Sequence, residues 1–449
     1  MTMNAVTPMR TGAEAALIAA YGVEKKEFPG GAAVNALRDA AFARFEAKGL
    51  PHRRVEEWKY TDLRALMRDA RPLAATTDVD GLSLAAELVS RAKGSFKAIP
   101  IVIIDGQFIG ALSGRLPDGV TVTGLSDALV AGRADISEAV ARAEERFNDP
   151  LMALNTMFLR DGVIIDVAAG TVVHDDLHII SVVTAAHFVS SRHFVTVGAG
   201  ASIGILESHV GPADVDYQKN TVLHVVVGEG ATLEHGRRQT EGDKALHIAS
   251  LVADIGPNAH FDTLTVTTGG AVSRNQLFVR FGGENSKATL RGVTMLRHKQ
   301  HADTTLVMDH AVPNCESREM FKTILDHEAK GVFQGKIIVA PHAQKTDGRM
   351  MSQTIMLADG PEMANKPELE IFADDVQCAH GCTVGELDED LMFYLKSRGV
   401  PHKEAEALLV EAFAREAIED FGEGTIAAID DLRAALLGSV TDWMLSREG

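Results

Sequence analysis

The sequence predicts a mainly β protein, in which a parallel β-helix is flanked by an N-terminal and a C-terminal α-helical domain. Three observations carry this prediction. A strand–turn pattern repeats in the middle of the chain, and helix-forming segments lie towards its two ends. The third is an aromatic content of only 5%. Aliphatic side chains must therefore do most of the packing, which suits stacked strands around a narrow interior.

The N-terminal domain is expected to span residues 1–95 of the 449. Gly12 to Ala20 and Ala33 to Lys48 are rich in Ala, Glu, Arg and Leu, which favour helix. The decapeptide from Arg54 to Leu63 follows, and it contains Trp58, one of only two tryptophans. We interpret this decapeptide as a packing element between a helix and a loop, and we expect no catalytic role for it.

The middle domain, residues 96–385, is expected to be the β-helix. Runs of β-branched residues bounded by Gly, Asp and Asn predict strands. One motif recurs, in Val195–Ala201, Val225–Ala231 and Ala253–Ala259, with Lys287–Leu290 as a candidate fourth copy. The Ala residues at 201, 231, 259 and 288 are 30, 28 and 29 residues apart. A strand–turn–strand unit at a fixed period predicts coils that stack on each other. A sandwich or barrel with chance similarity between its turns is the alternative.

The C-terminal domain, residues 386–449, is predicted to be helical. Leu391 to Ser397 forms a short helix that Gly399 ends, and a last helix is expected over Ile426 to Leu437. Between them, apolar residues recur at three- and four-residue spacing: Ala405, Leu408, Leu409, Ala412, Phe413 and Ala417. Such a stripe belongs to an amphipathic helix, which buries it in a core or against a docked partner.

Composition restricts the classes of function. The net charge of −18 disfavours binding to nucleic acid. Only three cysteines are present, too few for a disulfide framework, so a reducing compartment is expected. Met1 to Gly12 lacks the apolar core of a signal peptide. No apolar run is long enough to span a membrane, and we therefore expect a cytoplasmic protein without membrane contact.

The sharpest local feature is Cys378-Ala379-His380-Gly381-Cys382. The residues before it read as a strand, in which alternate side chains share a face about 6.6 Å apart. Cys378, His380 and Cys382 would then point the same way, and thiolate with imidazole suits iron or zinc. The alternative is a purely structural role, because free Cys is often buried and a lone His is often a core residue.

Other candidates are weaker. His298, His301, His310 and His327 occur near Cys315 and could be ligands, although scattered histidines usually have no shared role. Gly331 to Ile337 is similar to a phosphate-binding loop, but its spacing is one residue short and Ile337 replaces the hydroxyl that magnesium requires. No nucleophile elbow is found either, and we expect that the chain is not an enzyme.

Four blocks together resemble the SufB/SufD family: Gly331–Ile337, Lys366–Ile371, Ala373–Val376 with His380-Gly381, and Phe393–Gly399. The stretch Glu56-Glu57-Trp58-Lys59-Tyr60-Thr61 is typical of the SufD branch of that family. The resemblance covers residues 50 to about 420, and the acidic tail after that is poorly matched.

The resemblance implies a right-handed parallel β-helix in a complex with SufB and the ABC-type ATPase SufC. It implies a transient iron–sulfur cluster at the SufB–SufD interface, with Cys378 and His380 at the family's Cys and His positions. Cys382 departs from the pattern, since a small residue is usual there. The family's C-terminal helices receive the ATPase, which makes apolar side chains of these helices the candidate docking residues: Leu391, Phe393, Leu408, Leu409 and Phe413.

Two other functions stay open on the sequence. One is the SufB-like scaffold subunit, although three cysteines are few for it. The other is a β-helix enzyme acting on a saccharide or acyl substrate, which would show clustered carboxylates or a hexapeptide period. The sequence also leaves open the cluster type, whether FAD joins the complex, whether the isolated chain forms a homodimer, and the roles of Cys382, His298 and His301.

Overall fold

A computed structural model describes residues 10–75, 77–94, 97–422 and 429–446. Within them the chain forms ten α-helices: α1 (Gly12–Glu24), α2 (Ala32–Lys48), α3 (Leu63–Leu66), α4 (Val79–Lys93), α5 (Leu125–Val130), α6 (Ala134–Phe147), α7 (Pro150–Met157), α8 (Glu389–Ser397), α9 (His402–Glu419) and α10 (Ile429–Ser446). A 3₁₀ turn covers Glu56–Trp58 in the decapeptide. The helices predicted near residues 12, 33 and 391 are confirmed.

Nineteen strands follow each other in the same described residues. They are β1 (Ile99–Ile104), β2 (Gln107–Phe108), β3 (Val120–Gly124), β4 (Val163–Val167), β5 (Leu177–Val182), β6 (Phe188–Val197), β7 (Ser202–Val210), β8 (Gln218–Val227), β9 (Thr232–Gln239), β10 (Leu246–Ile255), β11 (His260–Thr267), β12 (Val272–Phe281), β13 (Lys287–Leu296), β14 (His301–His310), β15 (Glu316–Leu325), β16 (Lys330–Val339), β17 (Asp347–Met356), β18 (Glu362–Ile371) and β19 (Gln377–Gly385).

The strands alternate between two sheets, which confirms the predicted parallel β-helix. One sheet has the order β19-β17-β15-β13-β11-β9-β7-β5-β1-β2, and the other β18-β16-β14-β12-β10-β8-β6-β4-β3. Pairing is parallel throughout, except for the β1–β2 and β3–β4 pairs at the first end. Each coil therefore contributes one strand to each sheet, and each pair of coils is joined by two parallel ladders.

The repeated motif forms the corner between the sheets. Gly200, Gly230 and Asn258 occupy equivalent corners with φ of 65°, 62° and 54°, a backbone region that Gly and Asn tolerate best. The fourth copy was predicted two residues too late. Ala288 pairs with Phe261 inside the ladder, and Ser286 precedes β13 where Ala259 precedes β11. Pattern matching on Ala alone could not detect this shift.

The interior is aliphatic at one side and polar at the other. In the middle coils, buried Lys219 lies 3.8 Å from Glu241, and the imidazole of His247 lies 2.6 Å from the same carboxylate. His209 bridges Lys219 at 2.9 Å and Glu207 at 2.9 Å. Burial opposes ionisation of Glu241, but the charges of His247 and Lys219 outweigh it and hold its pKa well below the usual value. The carboxylates of Glu207 and Glu241 are thus matched by buried bases.

Helices cover the outer faces of both sheets. Helices α5, α6 and α7, which the sequence analysis did not predict, are inserted between β3 and β4, within the range assigned to the β-helix. Helices α9 and α10 pack on the outer face of β11, β13 and β15, where Leu264, Val266 and Val293 are fully buried. Helix α10 begins at Ile429, and the predicted start at Ile426 lies outside the described residues. No helix in the described part of the chain is long and apolar enough to cross a membrane.

Candidate functional site

The last coil of the β-helix, formed by β18 and β19, is open on its outer side. Strand β18 pairs only with β16 and β19 only with β17, so that no described strand covers their second edges. Inward-facing side chains, which are buried in earlier coils, are partly or fully exposed here. Ile371, Phe372 and Val384 add exposed apolar surface. Unpaired backbone groups beside apolar side chains are the features of a strand edge that can pair with another chain.

The Cys-Ala-His-Gly-Cys motif lies on this edge, in β19. Strand β17 buries alternate residues, and three of them, Gly348, Met350 and Ser352, pair with Cys378, His380 and Cys382. The three motif side chains therefore share the inward face, as predicted from the alternation of a strand. Cys378 is half-buried against the core, while His380 and Cys382 are exposed.

The environment of Cys378 sets its protonation. Burial raises the pKa of the thiol above its ordinary value, and the carboxylates of Asp347 and Glu319 act in the same direction. A hydrogen bond from the Gly348 backbone N–H opposes them by favouring the thiolate. The thiol is therefore protonated at neutral pH, and metal binding would have to displace its proton.

The motif does not form a complete metal site. Among the residues that the structure describes, no group of three or more His, Cys, Asp or Glu side chains is placed to hold one ion. Exposed His380 and half-buried Cys378 can offer one imidazole and one thiolate. Any further ligands would have to come from beyond these residues, such as a second chain at the open edge.

A polar layer that sequence reasoning missed lies beneath the motif. Glu319 is in the same column as Met350 and His380, two coils inward, and it is wholly buried. Burial raises its pKa to about 8. Nearby, His310 Nε2 lies 2.9 Å from the hydroxyl oxygen of Ser317. Alternation along β15 could have predicted that Glu319 faces inward. Only the register between strands shows that it lies under His380.

The other histidines do not form a common site. His298 and His327 occupy neighbouring corners with positive φ, and their rings are 4.8 Å apart at the surface. His301 is buried, with Nε2 2.9 Å from Thr61 Oγ1, and His310 lies inside the β-helix. Cys315 is also buried, with its Sγ 3.4 Å from the Gly283 carbonyl oxygen. Nearness in sequence was misleading because successive corners and strands face different directions.

The segment similar to a phosphate-binding loop is a central strand. Gly331 to Ile337 lies in β16, paired with β14 and β18 on its two edges. Lys336 Nζ donates to Glu370 at 2.9 Å. A paired strand cannot wrap its backbone N–H groups around a phosphate, so the structure agrees with the rejection of this motif.

The predicted docking residues differ in their exposure. Leu391 is 51% exposed, Phe393 73% and Leu408 46%, whereas Leu409 is only partly exposed. Phe413 faces the β-helix, where its ring lies 4.2 Å from the ammonium group of buried Lys322. Phe413 is therefore part of the contact between α9 and β15, and it is not a free docking residue here.

The face that α9 buries differs from the predicted stripe. Ala405 and Ala417 are buried as expected, but Leu408 and Ala412 are exposed. The other buried positions are Val410, Ala414 and Ile418. The prediction assigned part of the exposed side to the buried face, because Ala and Leu are abundant on both sides of this helix. A cavity of about 440 Å³ between α8, α9 and the end of β17 is lined by Met392 and Phe393.

Comparison with known proteins places this architecture in a family. Residues 180–413 match the SufBD core domain of the SUF system for FeS cluster assembly, and residues 23–179 match the SufBD protein N-terminal region. The chain belongs to the SufBD family. The core match spans the β-helix from β5 to β19 and continues through α8 into α9, so it includes both the open edge and the Cys378–Cys382 motif.

Relatives of the SufBD family align over most of the chain. The iron–sulfur cluster assembly protein SufD of Escherichia coli K12 is 30% identical over 388 residues, 83% of this chain and 85% of its own length. A SufBD family iron–sulfur cluster assembly protein of Synechocystis is 29% identical over 385 residues, 82% and 83% of the two chains. The chloroplastic protein ABCI7 of Arabidopsis thaliana is 29% identical over 403 residues, 86% and 82% of the two chains.

Proposed function

We propose that this chain is the SufD-type subunit of an iron–sulfur cluster assembly scaffold, and that it acts in the cytoplasm by pairing with a SufB chain through its open end. The observation that supports this most is the pair of uncovered edges of β18 and β19, with Cys378 and His380 on the inner face of the final strand. In this proposal the cluster is cargo, formed transiently and shared with the partner.

His380 is proposed as the main ligand and Cys378 as its assistant. The imidazole is exposed and needs no rearrangement to meet an iron ion, whereas the thiol is half-buried and must first lose its proton. Cys382 is exposed on the same face, but the family pattern has no thiol at that position. We therefore propose that Cys382 is dispensable.

The second part of the proposal concerns an ATPase. Helix α8 and the solvent side of α9 are proposed to dock SufC, with Leu391, Phe393 and Leu408 as contacts. These side chains are exposed although they are large and apolar, which is the signature of a binding surface. The cavity beside Phe393 would receive an apolar side chain of the partner. Leu409 contributes at its edge.

The test is coexpression of the chain with SufB and SufC, followed by anaerobic reconstitution. The proposal expects a stable heterocomplex that shows the visible absorption of an iron–sulfur cluster, and much less absorption when His380→Ala replaces the native chain. His342→Ala serves as the matched control, because His342 is an exposed histidine in the turn after β16. An isolated chain that binds neither protein, or equal cluster content in both variants, would reject the proposal.

The same edges can pair two copies of this chain, which accounts for the expected homodimer of the isolated protein. Added SufB should then displace one copy, and the molar mass in solution distinguishes the two states. FAD remains a proposed cofactor of the whole complex, to be tested by measuring the flavin content of the purified complex.

A further inference from the structure

A second cavity lies far from the open end, between α6 and the outer face of the nine-stranded sheet. Its volume is about 390 Å³. The floor is formed by outward side chains of successive strands, among them Ile164, Phe194 and Val252. The roof is the side of α6 that carries Ala139 and Ala143. Ile136 and Phe147 of the same helix also line the space. Because the floor is a sheet and the alanines keep the middle of the roof low, the space is a slot that suits a flat ligand.

Apolar surface in the slot is left uncovered. Val226, in the middle of the sheet, is 43% exposed, although α6 passes over the neighbouring positions. The rings of Phe194 and His224 stack at 4.8 Å with an angle of 7° between their planes, and both line the slot. In the strand register Ile164 and Val252 flank the two stacked rings, so a planar aromatic ligand over the uncovered Val226 would pack against the ring edges.

The His224 ring also supplies one polar group with a defined direction. The Nε atom of Arg192 donates to His224 Nε2 at 2.9 Å. Since an arginine can only donate, Nε2 is the acceptor, and the neutral ring carries its proton on Nδ1. Burial, followed by the charge of Arg192, lowers the pKa of His224 well below its usual value, so the ring stays neutral. No described group accepts a hydrogen bond from Nδ1, which leaves it as a donor for a ligand.

Arginines lie along the rim of the slot. Arg133 and Arg146 are held by ion pairs with Asp135 and Asp254. Arg142 is freer, because its ion pair with Glu138 is long, 3.8 Å, and both side chains are 68% exposed. Arg280 makes one contact of 3.4 Å with Asp309 and is 44% exposed. Asp135, Glu145 and Asp254 also line the slot, but Asp135 and Asp254 are already paired with Arg133 and Arg146. The guanidinium groups of Arg142 and Arg280 therefore favour a ligand that carries negative charge.

We propose that this slot binds a purine nucleoside monophosphate or a ligand of the same chemistry, a flat heteroaromatic ring that carries a phosphate. The ring lies between the sheet and the alanines of α6, next to the His224–Phe194 stack, and a ring nitrogen or carbonyl oxygen accepts from His224 Nδ1. The phosphate meets Arg142 and Arg280 at the rim.

Calorimetric titration of the full-length chain with adenosine 5′-monophosphate tests this inference. We expect saturable binding with a Kd between about 10 μM and 1 mM. Ala139→Phe, which fills the slot, should weaken binding at least about tenfold. Its control is Ala141→Phe, since Ala141 is exposed on the same helix and does not line the slot. Thermal melting shows whether each variant is folded.

Arg142→Gln tests the charge separately and, as a surface change, leaves folding intact. It should weaken binding of the monophosphate about threefold or more and leave binding of adenosine unchanged, while Arg53→Gln, an exposed arginine elsewhere, changes neither. Inorganic phosphate alone should not compete. Absence of binding at millimolar monophosphate would overturn the inference. So would equal affinities for Ala139→Phe and Ala141→Phe, or for Arg142→Gln and the native chain.

Discussion

The guanidinium carbon of Arg274 lies 3.8 Å from the centre of the Trp58 ring, and both side chains are fully buried. Arg274 also pairs with Asp303 and donates to the Glu57 carbonyl oxygen at 2.8 Å. Asp303 in turn accepts from Thr61 of the decapeptide. The decapeptide is therefore the contact that fixes the N-terminal domain to β12 and β14, which agrees with its interpretation as a packing element.

Removal of either member of this contact should destabilise the protein. Trp58→Ala should cost about 3–5 kcal/mol of unfolding free energy by leaving a cavity. Arg274→Leu should cost about the same, because it leaves the Asp303 carboxylate buried and unpaired. Urea denaturation measures both, and Arg53→Leu, at an exposed site, should stay within about 0.5 kcal/mol. The double variant should lose less than the sum, since the two side chains touch; strict additivity would contradict a shared contact.

Three alanine variants distinguish a ligand role from a packing role at the open edge. His380→Ala should abolish most cluster formation while the complex still assembles, because His380 is exposed and its loss should cost within about 0.5 kcal/mol. Cys378→Ala should reduce cluster content, and Cys382→Ala should leave it near normal. Iron and sulfide content per complex, with thermal melts alongside, gives the answer. If only Cys382→Ala lost the cluster, the ligand in this chain would be Cys382 and not His380 or Cys378.

Phe393→Asp should weaken SufC binding at least about tenfold, because it places a charge on an exposed apolar surface that the partner must desolvate. Leu445→Asp is the control, since Leu445 is equally exposed, at 72%, on α10. Surface plasmon resonance compares the two. Deletion of all residues after Asp388 is less informative, because it would uncover Leu264, Val266 and Val293 and destabilise the β-helix. Equal binding by both point variants would place the ATPase elsewhere.

The isolated chain should show no ATP turnover. Strand β16 holds Gly331 to Ile337 extended between two neighbours, and the Lys336 ammonium group already bonds Glu370. A coupled phosphate-release assay on the purified chain should therefore give the same background for the native chain and for Lys336→Ala. Activity that remains with the native chain through purification and disappears in Lys336→Ala would refute this expectation.

Glu319 should make stability fall as pH rises. Its pKa is raised to about 8 in the folded protein, against about 4.3 in an unfolded chain. The folded state thus binds the proton more tightly, so this group favours folding most below about pH 4 and loses that effect progressively up to about pH 8. Glu319→Gln, which keeps the neutral shape, should remove the dependence and gain on the order of 1–3 kcal/mol at pH 8. If the unfolding free energies of the native chain and of Glu319→Gln changed equally with pH, the Glu319 carboxyl would not titrate in this range.

The sequence alone was enough to predict the architecture, because its signals are local. Strand runs and the Gly-rich corner motif near Val195, Val225 and Ala253 establish stacked coils, and the helix-forming ends are plain in their composition. Alternation along one strand was also enough to place Cys378, His380 and Cys382 on a common face. Neither step requires knowledge of which distant residues meet.

Only the tertiary structure decided which residues lie together across coils. Glu319 lies under His380 because of the register across two coils. Phe413 contacts Lys322 because a helix of the C-terminal domain packs on the β-helix. Helices α5 to α7 interrupt the series of strands. They were not predicted, because no helical spacing of apolar residues was recognised in them. The exposure of the motif likewise follows from its position in the last coil. Register and stacking order are set by the summed packing of all coils, so no single stretch of sequence carries them.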